Sequence, residues 1–275
     1  GSTMPKIPKV LVRLRFMNWL IPKYTDMATY THFAKQPDVL KHLILCEVLK
    51  NETPQVYVET NSACAIYPMT QTPEQQYGIY HFLEKADEVP SLKDSVYYQL
   101  ESGEMAKGNY LGSPALAMNV LGKQAKRFVF FDLEKSALKN VGTYAKQIGL
   151  SASVEIHHTD SSRGTIELLP SLPTSSFIHI DPYEIDQKGN SGVTYLDVLI
   201  QATLLGMKCL LWYGFMTGDD KASLDNYITS SLEKAGIKDY TGVELAMNSI
   251  RKDSVLCNPG ILGSGILATN LSQTS

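Results

Sequence analysis

Short apolar, β-prone runs alternate with longer stretches of helical spacing along most of this chain, the pattern from which βαβ units assemble a mostly parallel sheet. The runs Gln55–Thr60, Arg127–Leu133, Ser153–His158, Ser176–Asp181, Lys208–Tyr213, Thr241–Met247 and Gly265–Asn270 predict seven strands. Between them, Asp38–Lys50, Lys135–Ile148, Thr194–Leu205 and Lys221–Ala235 predict helices. In the first helix Val39, Leu40, Leu43, Ile44 and Val48 form an apolar stripe behind Asp38, a candidate N-cap. Gly149 and Gly236 fall just past two of the helices, where a left-handed cap is expected.

The stretch from Pro68 to Leu111 interrupts the alternation, because a βαβ crossover would return to a strand sooner. Thr72–Asp87 has helical character, with Tyr77, Tyr80, Phe82 and Leu83 available for one face, so a small helical insertion after the first strand is expected at about 68–111. Gln187–Gly192 reads as a flexible loop. Residues 1–3 read as a cloning remnant, 4–29 as an N-terminal arm, and 30–275 as one α/β domain carrying the insertion.

With 275 residues, 44% of them apolar, the chain can bury a large core. A net charge of −3 excludes the strongly basic balance of many nucleic-acid binders, so any RNA site must be a local patch. Lys6, Lys9, Arg13, Arg15 and Lys23 gather in the arm, where they could meet phosphates or simply be solvated. Cys46, Cys64, Cys209 and Cys257 lie far apart, with no CxxC pair and no histidine at metal-ligand spacing, which points to free thiols in a reducing cytoplasm and to no metal site. No apolar run reaches the length of a membrane span, so no membrane partner is expected.

Ligands of open parallel sheets bind beyond the carboxyl ends of the strands, near the point where strand order reverses. Those ends carry Glu59 and Asn61, then Asp132, Asp160 and Asp181-Pro182-Tyr183. Each acid alone reads as a loop residue or helix cap, whereas four successive strands ending at or near a carboxylate point to a site, since ionised carboxylates avoid burial without partners. In a nucleoside-cofactor site Asp132 would accept from both ribose hydroxyls, Asp160 from the adenine amino group, and Glu59 would face a cationic region. The buried run Phe177-Ile178-His179-Ile180 delivers an acid, a rigid turn and an aromatic ring to one rim, which suits an acceptor for an exocyclic N–H and a surface to stack a flipped base.

The segment from His32 to His42, with Asp38-Val39-Leu40-Lys41-His42 intact, resembles the N-terminal motif of the RlmJ-type 23S ribosomal RNA adenine-N6 methyltransferases. The segment Tyr57 to Tyr67 is similar to that family's first-strand motif, Gly112-Ser113-Pro114 to its Gly-Ser-Pro, Asp181-Pro182-Tyr183-Glu184 to its Asp-Pro-Pro-Tyr, and Leu211-Trp212-Tyr213 to its Leu-Trp-Tyr. The resemblance, running from about Tyr30 to Asn270, implies a Rossmann-like fold with a seven-stranded mostly parallel sheet, S-adenosylmethionine (SAM) as donor and an adenine N6 in ribosomal RNA as acceptor. It also implies cofactor contacts at His42, Ser113, Asp132 and Asp160, with Glu59 and Asn61 at the same rim. Asp181 and Tyr183 then fall at the catalytic positions, and His32, Lys41 and Pro182 on the acceptor side.

The chain departs from that pattern. Ala63 and Ala65 stand where the family has glycines, which disfavours positive φ there; Glu59 replaces an aspartate, Asn61 a histidine, and the catalytic motif is one proline short. Besides an RNA methyltransferase, the sequence therefore admits a catalytically inactive nucleic-acid- or protein-binding module, and a methyltransferase whose acceptor has become DNA or a small molecule.

Overall fold

The structure is a computed structural model describing residues 32–247, 250–252, 255–257 and 261–275. The basic arm lies outside the described residues. The chain enters through helix α1 (Gln36–Glu52) and strand β1 (Val56–Glu59). Lys35 is the N-cap of α1 and Asp38 sits three residues in, where its carboxylate accepts the Lys35 N–H at 3.2 Å. The expected cap is thus displaced because Pro37, which lacks an N–H, fits the first turn.

A short strand β2 (Ile66–Pro68) pairs antiparallel with β3 (Asn109–Leu111), and between them run α2 (Pro73–Gln75), α3 (His81–Ala86), α4 (Pro90–Lys93) and α5 (Val96–Met105). A π-turn, Gln76–Tyr80, joins α2 to α3 and contains Gly78, whose added Cβ would lie 1.7 Å from the Ala34 carbonyl oxygen. After β3 come α6 (Ser113–Leu121), β4 (Arg127–Asp132), α7 (Lys135–Gln147), β5 (Val154–His158), α8 (Ser161–Leu168) and β6 (Phe177–Ile180). The chain continues through α9 (Tyr195–Leu204), β7 (Lys208–Phe215), α10 (Gly218–Lys234), β8 (Thr241–Ala246), the hairpin strands β9 (Ile250–Lys252) and β10 (Val255–Cys257), and β11 (Gly263–Thr269).

Seven strands form one sheet in the order β5-β4-β1-β6-β7-β11-β8. The pairs β5/β4, β4/β1, β1/β6 and β6/β7 are parallel, while β11 runs antiparallel to both its neighbours. This is the Rossmann-like methyltransferase sheet expected from the sequence, with the seven predicted runs as its strands. β1 is buried along its whole length, as is β6, because helices cover both faces. One face packs Tyr57, Phe128, Phe130, Phe177 and Leu210 against α1, α6 and α7; the other packs Val58, Val129, Ile178, Ile180 and Leu211 against residues of α9 and α10. Strand order reverses about β1, since the chain builds β4 and β5 on one side of it and then returns to β6 on the other. The carboxyl ends of β1, β4, β5 and β6 consequently share one edge, where a ligand crevice is expected.

Four helices of the structure, α4, α5, α6 and α8, were not individually predicted, although α4 and α5 fall within the expected helical insertion. α4 is a single turn, α5 and α8 are amphipathic only weakly or briefly, and α6 is apolar nearly all round, so periodicity is faint in each.

Candidate active site

The site is built around one ion pair. Lys41 projects from α1 and places Nζ 3.1 Å from Asp181 Oδ1 and 3.0 Å from Oδ2, just past the end of β6. Asp38 Oδ1 lies 3.4 Å from the same nitrogen, and the Trp212 ring centroid 4.7 Å away. Both partners are largely shielded, Lys41 12% and Asp181 11% exposed at the side chain. Burial alone would lower the Lys41 pKa, but the carboxylates of Asp181 and Asp38 outweigh it and raise it. Burial would likewise raise Asp181, and the charge of Lys41 overrides it, holding the carboxyl below its ordinary range. Both groups are charged at neutral pH.

From Asp181 a continuous chain of hydrogen bonds crosses the sheet edge. The Asp181 N–H donates to Thr60 Oγ1 at 3.4 Å, the Thr60 hydroxyl donates to Asn61 Oδ1 at 2.6 Å, and Asn61 Nδ2 donates to Tyr195 Oη at 3.3 Å. Tyr195 Oη in turn meets Ser161 Oγ at 2.7 Å, at the first residue of α8. Asp160 is the N-cap of that helix: its Oδ1 accepts from the Arg163 N–H at 3.2 Å and the Ser162 hydroxyl at 2.8 Å. The ordinary cap role open to each acid is therefore real for Asp160, and it keeps the carboxylate at the exposed edge beyond β5.

Asp132 joins the second side. Its Oδ2 accepts the Ala63 N–H at 2.8 Å and its Oδ1 the Glu134 N–H at 2.7 Å, so one buried carboxylate ties the loop after β1 to the loop after β4. Asn140 of α7 fixes the same β1 loop, accepting from the Ala65 and Ile66 N–H groups at 2.9 and 3.1 Å and donating to the Ile66 carbonyl at 3.1 Å. Gly112 packs beneath it: a Cβ there would fall 2.2 Å from the Cys64 carbonyl oxygen. That contact explains glycine before Ser113, the buried first residue of α6.

Ala63 adopts φ 50°, the left-handed conformation that alanine was expected to resist, whereas Ala65 does not. The Asp132 and Asn140 hydrogen bonds hold the loop in that shape at a cost of about 1 kcal/mol at Ala63. Ala63→Gly is accordingly expected to stabilise the fold by up to ~1 kcal/mol, raising Tm by about 1–3 °C, checked by thermal unfolding. An unchanged or lowered Tm would show that the loop carries no strain.

One sequence expectation is corrected by placement. Glu59 does not open onto the rim. It shares the core face of β1 with Tyr57, is fully buried, and its Oε1 meets His179 Nδ1 at 2.7 Å and accepts from Tyr57 Oη at 3.3 Å. Strand parity decides this, because Glu59 stands opposite His179 in the parallel register. Burial raises the Glu59 pKa, only partly offset by His179 and by the Ser113 hydroxyl. His32, expected on the acceptor side, pairs with Glu74 of α2 at 3.1 Å and is mostly exposed.

Pro182 is buried beside Asp181, and Tyr183 is 89% exposed. His42, next to Lys41 on α1, is buried, with Nδ1 3.1 Å from Tyr110 Oη, and burial lowers its pKa to about 4, so its ring is neutral. The structure thus connects Lys41, Asp181, Asn61 and the Asp160 cap through one network, and Asp132 with Ala63 through another. Sequence reading did not identify Asn140, Tyr195, Ser161 or His179. Of these only His179, a lone polar residue in an apolar strand, carried a visible signal.

No described family profile matches the chain, and no curated protein matches it in sequence. Among solved structures it is similar to protein LPL1258 from Legionella pneumophila, assigned to DUF519, at 22% identity over 88% of both chains with a TM-score of 0.70. Looser matches are a SAM-dependent methyltransferase from Agrobacterium tumefaciens (11% identity, 88% of this chain and 64% of that one, TM-score 0.46) and an rRNA methylase from Streptococcus thermophilus (11% identity, 86% and 98%, TM-score 0.44). The Legionella protein and this chain share a fold.

Proposed function

We propose that this chain is a SAM-dependent methyltransferase whose acceptor is the N6 amino group of an adenine in RNA. The observation that carries the reading is that Asp132, Asp160 and Asp181 follow the carboxyl ends of β4, β5 and β6 on one sheet edge, with the ion-paired Asp181 beside an exposed aromatic ring. When bound, SAM supplies an electrophilic methyl group. The donor set fits such a group. Asp132, held by backbone N–H groups of the loops after β1 and β4, stands at the end of β4 where a carboxylate would accept from ribose hydroxyls. Asp160, exposed at its helix cap, would accept from the adenine amino group, and the remaining contacts of the reading fall to His42 of α1 and Ser113 of α6.

On the acceptor side Asp181 is ionised and accepts hydrogen bonds only, so its task is to hold an exocyclic N–H and orient the nitrogen lone pair. Lys41 anchors that carboxylate in one position. Tyr183 offers a face on which an extruded base stacks. No strong base is required, since positioning and electrostatics supply much of the acceleration.

The test is transfer of labelled methyl from SAM to RNA, with DNA and free nucleosides alongside and mass spectrometry of the digested product. N6-methyladenosine in RNA is expected; label in DNA or nucleosides alone would move the acceptor, and no label in any would sink the enzymatic reading. Asp132→Ala is expected to weaken SAM binding at least tenfold by calorimetry, because it frees two backbone N–H groups as well as removing an acceptor. Unchanged affinity would remove Asp132 from the cofactor site.

A second reading has its own support: Lys41 already engages both Asp181 oxygens, and a strained alanine stands in the β1 loop. Those features suit a fold kept as a binding module, in which RNA is bound but no methyl is transferred.

A further inference from the structure

A buried hydrogen-bonded chain runs from the helices between β2 and β3 to the rim. Tyr97 Oη, on α5, lies 3.1 Å from Tyr110 Oη, on β3, and Tyr110 Oη lies 3.1 Å from His42 Nδ1. Tyr97 is fully buried, Tyr110 is 1% exposed and His42 6% exposed. The rings are fixed by packing: Tyr110 stacks on Phe33 at 5.9 Å and lies against Tyr67, and Tyr97 packs on Phe82 at 5.4 Å.

Only one direction of donation places both hydroxyl protons in this chain. If His42 Nδ1–H donated to Tyr110, Tyr110 would donate to Tyr97, and the buried Tyr97 proton would have no acceptor among the described residues, where Glu101 Oε2 makes no hydrogen bond. If Tyr97 donates to Tyr110 and Tyr110 to His42 Nδ1, each hydroxyl proton is placed. The neutral imidazole then carries its proton on Nε2, an atom with no partner among the described residues. Next to it on α1 stands Lys41, bound to Asp181.

We infer that Tyr97 and Tyr110 are positioning residues that lock His42 as the Nε2–H tautomer, so that it presents a hydrogen-bond donor to the bound ligand. The ligand end facing His42 must therefore offer an acceptor, an oxygen rather than an N–H. This assignment rests on the proposed methyltransferase reading for what the ligand is, though not for the tautomer itself. It gives the segment between β2 and β3 a part in ligand binding without any residue of that segment touching the ligand.

The test is nitrogen NMR of the histidine ring at neutral pH together with SAM titration, on wild type, Tyr110→Phe and Tyr97→Phe. Both variants keep the ring and lose only the hydroxyl. In wild type the His42 Nε2 is expected protonated and Nδ1 unprotonated. Tyr110→Phe should mix the tautomers and weaken SAM binding by about threefold to tenfold, and Tyr97→Phe should do the same to a smaller extent. A wild-type Nδ1–H tautomer would overturn the inference, as would a tautomer and affinity unchanged in both variants. Should Tyr110→Phe fail to fold, Tyr97→Phe carries the same comparison. Failure of the wild type to bind SAM contradicts the methyltransferase reading, and the ring spectra still decide the tautomer.

Discussion

Asp181→Asn is expected to lower methyl transfer by on the order of 10²- to 10³-fold while leaving SAM affinity within about twofold. The amide keeps the size of the side chain and one oxygen for Lys41, but it loses the charge that holds the acceptor N–H and adds donors that compete for it. The loss should appear in kcat, because the interaction matters most as the nitrogen begins to carry positive charge. Asp181→Ala is a poorer probe, since it strands Lys41 in a shielded position and adds a folding defect to the chemical one. Single-turnover transfer and calorimetric titration of the same preparation check the expectation. A variant that transfers normally, or one that loses SAM binding in proportion, would remove Asp181 from the acceptor role.

Lys41→Met is expected to destabilise the fold by about 3–5 kcal/mol, because it leaves Asp181 and Asp38 as neighbouring shielded carboxylates with no counter-charge. The pH dependence gives the sharper signature. In the wild type Asp181 is held below its ordinary range, so its contribution is fully present above the unfolded carboxylate pKa and is lost as pH falls through the lower folded value. The Lys41 pKa is raised, so its contribution is full below its unfolded value and fades only as pH climbs past the folded one. Without Lys41, burial pushes Asp181 upward instead, and the sign reverses: stability should now rise as pH falls from about 7 toward 4, as the carboxyl takes up a proton. Denaturant unfolding of both proteins across that range checks it. Parallel curves, differing only by a constant, would mean that the lysine does not set the Asp181 charge.

How much of this was legible beforehand depends on whether a residue acts along its own strand or across to another element. The centre of the sheet was readable because β1 and β6 are buried on both faces and advertise themselves as apolar runs, as in Phe177-Ile178-His179-Ile180. Asp132 and Asp181 stood out by the same logic, as acids ending such runs. Glu59 ended one too, yet a two-residue periodicity turned it inward to His179, and which face of β1 is occupied by which helix is a tertiary fact. Lys41 and Asp181 are 140 residues apart, so their pairing could not be read from spacing at all. Asn140 looked like an ordinary polar position on α7, and its three hydrogen bonds to the β1 loop exist only because that helix packs beside the loop. The positive φ of Ala63 ran against local propensity and is imposed by those same contacts.

Everything functional here depends on the edge at β1, β4, β5 and β6 taking up a nucleoside-bearing cofactor. Calorimetric titration of the unmodified protein with SAM, paired with a thermal-shift series, measures that directly. The account predicts saturable binding of one equivalent and, at ligand a hundredfold above Kd, stabilisation of about 2.7 kcal/mol. No heat and no shift at millimolar SAM would contradict it.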